Sequence, residues 1–167
     1  YLSAARSHIF NAVVSTRIKN GTFDKPVAGD VMMLAGTQSV FLASEIDQTI
    51  IDRLNEKDID ITAPMWGAGE VKTEDEARAI EEAICETYSE FCQGLPKFGL
   101  KQERRKARLQ ISDTNLEIDD STVTLTFSLS AGSYATTVLR ELLNYEDLTQ
   151  RATGSQENDN EASQEKS

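Results

Sequence analysis

The stretch that most constrains the fold runs from Thr122 to Leu143, where a strand pattern turns into a helix pattern. Val123, Leu125, Phe127 and Leu129 alternate with polar residues, Ala131-Gly132-Ser133 breaks the run, and Tyr134, Val138, Leu139 and Leu142 recur at helical spacing. Period-two spacing puts the four strand residues on one sheet face, Gly132 permits a sharp turn, and Ser133 is a good N-cap. This strand–turn–helix unit carries a lone arginine, Arg140, among apolar residues of its helix. A guanidinium there either carries its head to water or meets a buried carboxylate, because an unpaired buried charge is too costly. Glu141 points about 100° away around the helix, so a partner must come from elsewhere in the fold. A partly exposed or structural arginine is the ordinary reading, and an active-site arginine is the alternative.

Upstream, helix and strand patterns alternate, which gives an α/β (α+β) chain. Leu2, Ala5, Ile9, Phe10, Val13, Val14 and Ile18 predict a helix over residues 2 to 19, ended by Gly21. Short strands are expected at 31 to 34 and 39 to 43, then a helix capped by Ser44 and running to about Lys57, then a brief strand at Ile59 and Ile61. Pro64 to Gly69 reads as a loop. Thr73 and Glu76 have capping-box spacing, and the helix they open is expected to reach Gln93, with Ile80, Ile84, Tyr88 and Phe91 inward and Gly94 and Pro96 as its stop. A short basic helix and two strands, at about 107 to 112 and 122 to 129, lead into the closing helix. The character changes near residue 108, which suggests a domain boundary, and 151 to 167 form a polar, acidic tail too poor in large apolar residues to order.

The 167 residues are 39% hydrophobic, enough for a packed core, and no apolar run approaches a membrane span. A soluble protein is expected. Tyr1 opens directly into an amphipathic pattern, so we expect the chain to begin inside a longer protein. Cys85 and Cys92, seven apart in one predicted helix, stand two turns apart and too far for a disulfide, so reduced thiols in a cytoplasm are expected. His8 is the only histidine, and no Cys-x-x-Cys is present, which argues against a zinc site or a Ser-His pair.

The net charge of −11 excludes a generally basic surface, but its distribution is uneven. Lys97, Lys101, Arg104, Arg105, Lys106 and Arg108 face a single acid, Glu103, within twelve residues. Such a run is costly to gather without an anionic partner, so RNA contact is favoured there over a solvated face. Arg6 and Asn11, off the apolar stripe of the first helix, reach either phosphates or water. Trp66 either stacks on an unpaired base or folds back on its own core. Gly67-Ala68-Gly69 lacks the Lys-Ser or Lys-Thr of a phosphate loop, and the pairs Asp58 with Asp60 and Asp119 with Asp120 read as solvated loop acids.

Four segments in order resemble the TruD family of transfer RNA pseudouridine synthases. They are Leu2-Ser3-Ala4-Ala5-Arg6-Ser7-His8-Ile9-Phe10-Asn11 with Gly29-Asp30 following, Ile61-Thr62-Ala63-Pro64-Met65-Trp66-Gly67, the run ending Arg104-Arg105, and residues 131 to 142. The resemblance implies that 1 to 108 are most of a TruD-specific insertion domain and that 109 to 150 return to a catalytic domain, completing its sheet. It implies isomerisation of uridine 13 in transfer RNA to pseudouridine, with an aspartate as nucleophile and no metal or organic cofactor. It places Arg140 where the family carries the arginine that pairs with that aspartate, and it makes Arg6, Trp66, Lys101, Arg104, Arg105, Lys106 and Arg108 candidates for RNA contact. The family's catalytic aspartate, its base-stacking aromatic and its Asn-x-Phe strand find no match here. The chain alone is therefore expected to be inactive, as the C-terminal part of a monomeric enzyme completed by its N-terminal part. The alternative is a non-catalytic RNA-binding or protein-interaction module derived from the insertion domain.

Overall fold

The computed structural model describes residues 1–129, 133 and 135–142. The fold is α+β, and the described chain divides into two compact units, Tyr1–Leu109 and the part from Gln110 onward. The expected Gly132 turn and the expected polar tail lie outside the described residues.

In the first unit, helix α1 (Leu2–Lys19) leads through a loop to strands β1 (Asp30–Leu34) and β2 (Val40–Ala43). Helix α2 (Gln48–Asn55) precedes strand β3 (Ile59–Met65). Helices α3 (Asp75–Thr87) and α4 (Ser89–Gly94) and a 3-10 turn (Leu95–Phe98) then lead to strand β4 (Glu103–Lys106). The sheet is antiparallel throughout, in the order β2-β1-β3-β4. Alternate residues of β3 share one face and serve two cores. Ile59 and Ile61 pack with Met32, Ala43 and Leu54, the last from α2. Ala63 and Met65 pack with Phe10 and Val13 of α1, flanked by Ile80 and Ile84 of α3. The even positions of β3 are covered as well, so this central strand is buried along its whole length.

Several expectations are corrected, each for a local reason. Helix α2 starts at Gln48 rather than after Ser44, because the Asp47 carboxylate accepts the Ile50 N–H at 2.9 Å and makes Asp47 the cap. Thr73 does not cap α3: it is fully buried, and its hydroxyl donates to Glu81 Oε2. The start of α3 is held instead by the Gly29 loop, where the Glu74 N–H donates to the Gly29 carbonyl at 3.0 Å. A Cβ on Gly29 would overlap the Glu74 carbonyl group, and its φ of +79° also favours glycine. The buried end of α1 is Arg17, not Ile18, which is exposed. Arg17 grips Asp30 through both nitrogens of its fork, at 2.6 and 2.9 Å.

The helix expected to run to Gln93 breaks at Tyr88 into α3 and α4, and this break brings Cys85 and Cys92 within 5.8 Å between Cα atoms. Their sulfurs are bonded, which overturns the expectation of two separated thiols. The heart of the basic segment, Glu103–Lys106, is a strand rather than a helix, because it pairs with Thr62–Met65, and only Lys97 lies in a helical turn. Pro64 also belongs to strand rather than loop, and it sits beyond the stretch where β3 pairs with β1.

In the second unit, strands β5 (Ile111–Asp119) and β6 (Thr122–Leu129) form a two-stranded antiparallel ribbon with an irregularity between Ser112 and Asn115. Leu116 faces Leu125 and Ile118 faces Val123, so these four share one side, while Asn115, Glu117, Thr124 and Thr126 take the other. Helix α5 (Ala135–Leu142) buries Val138 and exposes Arg140.

Candidate nucleic-acid interface

The strand alternation of β4 decides which cations reach solvent. Arg104 points inward, with its side chain 2% exposed, and its guanidinium donates to Glu81 Oε1 at 2.8 Å, to the Thr62 hydroxyl at 2.9 Å and to the Thr62 carbonyl at 2.9 Å. All of its reach is spent inside the protein. This corrects the expectation that Arg104 contacts RNA: the signal that Arg104 and Arg105 are alike was composition, whereas consecutive strand residues face opposite ways. Arg105 is exposed, with its guanidinium 5.5 Å from the Phe10 ring centroid.

Two more cations of the run share one buried acid. Asp60, expected in a solvated loop, lies within β3 with its side chain 0% exposed, where Oδ1 accepts from Arg108 Nη2 at 2.6 Å and Oδ2 lies 3.6 Å from Lys106 Nζ. Both cations remain partly exposed. Asp58 is half-exposed and pairs with Arg53 at 2.6 Å. Of the six cations between 97 and 108, Arg104, Lys106 and Arg108 thus have buried counter-charges, which leaves Lys97, Lys101 and Arg105 as the exposed ones.

Arg6 joins this corner from α1. Its Nη2 donates to the Met65 carbonyl at 2.7 Å, the Lys101 carbonyl at 2.8 Å and Glu103 Oε2 at 3.0 Å, so the half-buried guanidinium ties the end of β3 to the approach of β4. Asn11 is exposed on the same helix. Trp66 follows Met65 directly and is half-buried, with its indole N–H donated to the Cys92 carbonyl at 3.1 Å. Gly67 then packs on the backbone of residues 100 and 101, where a Cβ would overlap the Lys101 carbonyl group. The Gly67 N–H donates to Gln102 Oε1 at 2.8 Å. Arg6, Trp66 and Lys101 therefore meet at one edge of the first unit, while Arg140 lies in the second.

Residue reasoning missed Glu81, which sits under β4. Burial pushes its carboxyl above its ordinary 4.5, against the lowering effect of the Arg104 charge and hydrogen bond and of the Thr73 hydroxyl. It also missed the buried Arg17–Asp30 pair. In both cases a charged residue occupies a helix position that helical spacing from Val13 or from Ala77 assigns to the core, which was the available signal. Among the described residues no group of three or more His, Cys, Asp or Glu could hold a metal ion, and no helix is long and apolar enough to cross a membrane.

Comparison with known proteins gives one family. The family model described as tRNA pseudouridine synthase D (TruD) matches residues 1–142. The tRNA pseudouridine synthase D of Colwellia psychrerythraea is 55% identical over 161 residues, covering 90% of this chain and 44% of that protein. That of Shewanella oneidensis is 44% identical over 149 residues, covering 89% of this chain and 40% of its own length. A crystal structure of a TruD protein from Methanosarcina mazei superposes with a TM-score of 0.67 at 25% identity, over 81% of this chain and 36% of that one. The chain belongs to the TruD family. It spans less than half the length of these relatives.

Proposed function

We propose that this chain works as part of a transfer RNA pseudouridine synthase that isomerises uridine 13 to pseudouridine. The observation that carries this reading is the continuous family match over residues 1–142, which takes in both units. The family's chemistry starts with attack by an aspartate on a flipped-out nucleotide, after which the glycosidic bond breaks and the base rejoins through carbon. No segment of this chain matches the part of the family that supplies the aspartate, so a further segment of the same protein must provide it, and this chain alone is inactive. On this reading residues 1 to about 108 are the TruD insertion domain and the rest returns to the catalytic domain. The enzyme is a cytoplasmic monomer, since transfer RNA is found there and one chain supplies each part of the site.

Arg140 is the arginine we assign to the catalytic aspartate. An opposite charge within about 4 to 6 Å favours the ionised carboxylate, and the planar fork aims it. Its exposure on α5 leaves the guanidinium open to such a partner. For the insertion domain we assign phosphate contact to the exposed Lys101 and Arg105, with Lys106 and Arg108 at the margin and Arg6 and Trp66 shaping the edge beside them. Flipping a base costs a few kcal/mol, which contacts of this kind offset.

The test compares three proteins on transfer RNA, with pseudouridine at position 13 as readout: the whole protein, this chain alone, and the whole protein with Arg140→Lys. The whole protein should convert the uridine, the chain alone should not, and Arg140→Lys should lose orders of magnitude in single-turnover rate while RNA affinity and melting temperature hold. Turnover by the chain alone, or near-normal turnover by a folded Arg140→Lys protein, overturns the assignment.

A further inference from the structure

The only two cysteines of the chain sit either side of a helix break that the sequence does not encode. From Asp75 to Gln93 there is no glycine or proline, and nothing in that stretch stops a helix. In a continuous helix, residues seven apart are separated by about 10.5 Å, beyond the reach of a disulfide. Here Tyr88 leaves helical geometry, with φ −115° and ψ 43°, and the Cα atoms of Cys85 and Cys92 close to 5.8 Å with their sulfurs bonded. The bond and the unbroken helix are mutually exclusive. Both cysteines are partly exposed, so a small thiol can reach them.

What lies beyond the break is tied to the rest of the unit. The Cys92 carbonyl accepts the Trp66 indole N–H. The Tyr88 and Phe91 rings stack with centroids 6.5 Å apart, and the His8 ring stands edge-on to both, at 4.7 and 6.1 Å. Straightening the helix would swing Cys92 away by several ångströms and break these contacts together.

We propose that Cys85 and Cys92 form a reversible thiol–disulfide site whose oxidation state selects between two helices and one, and so decides whether Trp66 is held. A dithiol opens it: one thiolate attacks a sulfur of the pair to form a mixed disulfide, and the second thiol closes the reagent's own ring. Both cysteines are released as thiols, and two electrons and two protons pass from reagent to protein. Oxidation runs the same steps backward with a disulfide of that class as acceptor. This inference does not depend on the RNA reaction.

The experiment equilibrates the whole protein with reduced or oxidised dithiothreitol, quenches with acid, alkylates, and weighs the tryptic peptide spanning 79 to 97, which holds both cysteines. After oxidation the peptide should be two hydrogens lighter and unalkylated, and after reduction it should carry two alkyl groups. In parallel, Trp66 emission is isolated by subtracting the spectrum of the Trp66→Phe protein. Reduction should shift that emission to the red, and the Cys85→Ser/Cys92→Ser protein should show no dependence on redox state. Full alkylation after oxidation, or Trp66 emission identical in the two states of the wild type, overturns the proposal, and neither result depends on a cysteine variant folding.

Discussion

Glu81 is a carboxylate with two hydrogen-bonding side chains and almost no water. The Arg104 guanidinium and the Thr73 hydroxyl both favour its ionised form, yet the loss of hydration outweighs them and raises its pKa above 4.5. A raised carboxyl pKa means that, between 4.5 and the folded value, the folded state holds more of this proton than the unfolded state does. The contribution of this group to stability is therefore complete below 4.5 and declines as pH rises through the folded value. Glu81→Gln removes that titration. The stability difference between wild type and Glu81→Gln, measured by urea unfolding, should be constant below 4.5 and change as pH rises above it. A difference that is flat above 4.5 and changes below it would mean that the Arg104 charge outweighs burial and holds Glu81 ionised.

Strand β4 sends two adjacent arginines into different surroundings. Arg104 and Arg105 are chemically equal, but pairing with β3 turns the first toward Glu81 and the second toward solvent. Reversing their charges should separate the roles. Arg105→Glu should lower the affinity of the whole protein for transfer RNA of any sequence, with little change in melting temperature. The log-log salt slope should flatten by about 0.7 to 0.9 for each phosphate no longer neutralised. Arg104→Glu places a second carboxylate against Glu81 in a buried site, and breaking such a pair costs about 3 to 5 kcal/mol. It should act first on folding. If both variants fold equally well and bind RNA with the same reduced affinity, Arg104 reaches the ligand and the inward placement does not describe the protein in solution.

The two units differ sharply in how they bury their strands. In the first, β3 is covered on both faces and serves two cores, and the Arg17–Asp30 and Arg104–Glu81 pairs are buried within the same unit. The ribbon β5–β6 has every residue of β5 exposed and an apolar side, including Ile118 at 73% and Leu116 at 56%. A two-stranded ribbon of this kind is marginal by itself in water. Amide exchange in the isolated chain should therefore be orders of magnitude faster at Leu116, Ile118 and Val123 than at Ile61, because opening the ribbon exposes little that was not already wet. Equal protection in the two places would show that the ribbon is covered within the chain itself.

Helix α1 over Leu2–Lys19, the strands near 31, 40 and 122, and helix α5 were legible because their apolar spacing is regular and their ends carry ordinary signals. The family resemblance was legible for another reason: its motifs hold glycines and charged residues whose use is specific, such as Gly29 against the Glu74 backbone and Arg6 across three acceptors. Charge destinations were not legible. A basic run looks like a surface in one dimension, and only the register of β4 on β3 shows that one of its arginines is buried and that two other cations share Asp60. Nor was the break at Tyr88, since local preference favours a continuous helix from 75 to 93 and the competing term, a bond between Cys85 and Cys92, is a contact across that break. Period and propensity are properties of neighbours along the chain, so the sequence determines elements; ion pairs and sulfur bonds depend on what folding brings face to face, so tertiary structure decides where the charges and the thiols end up.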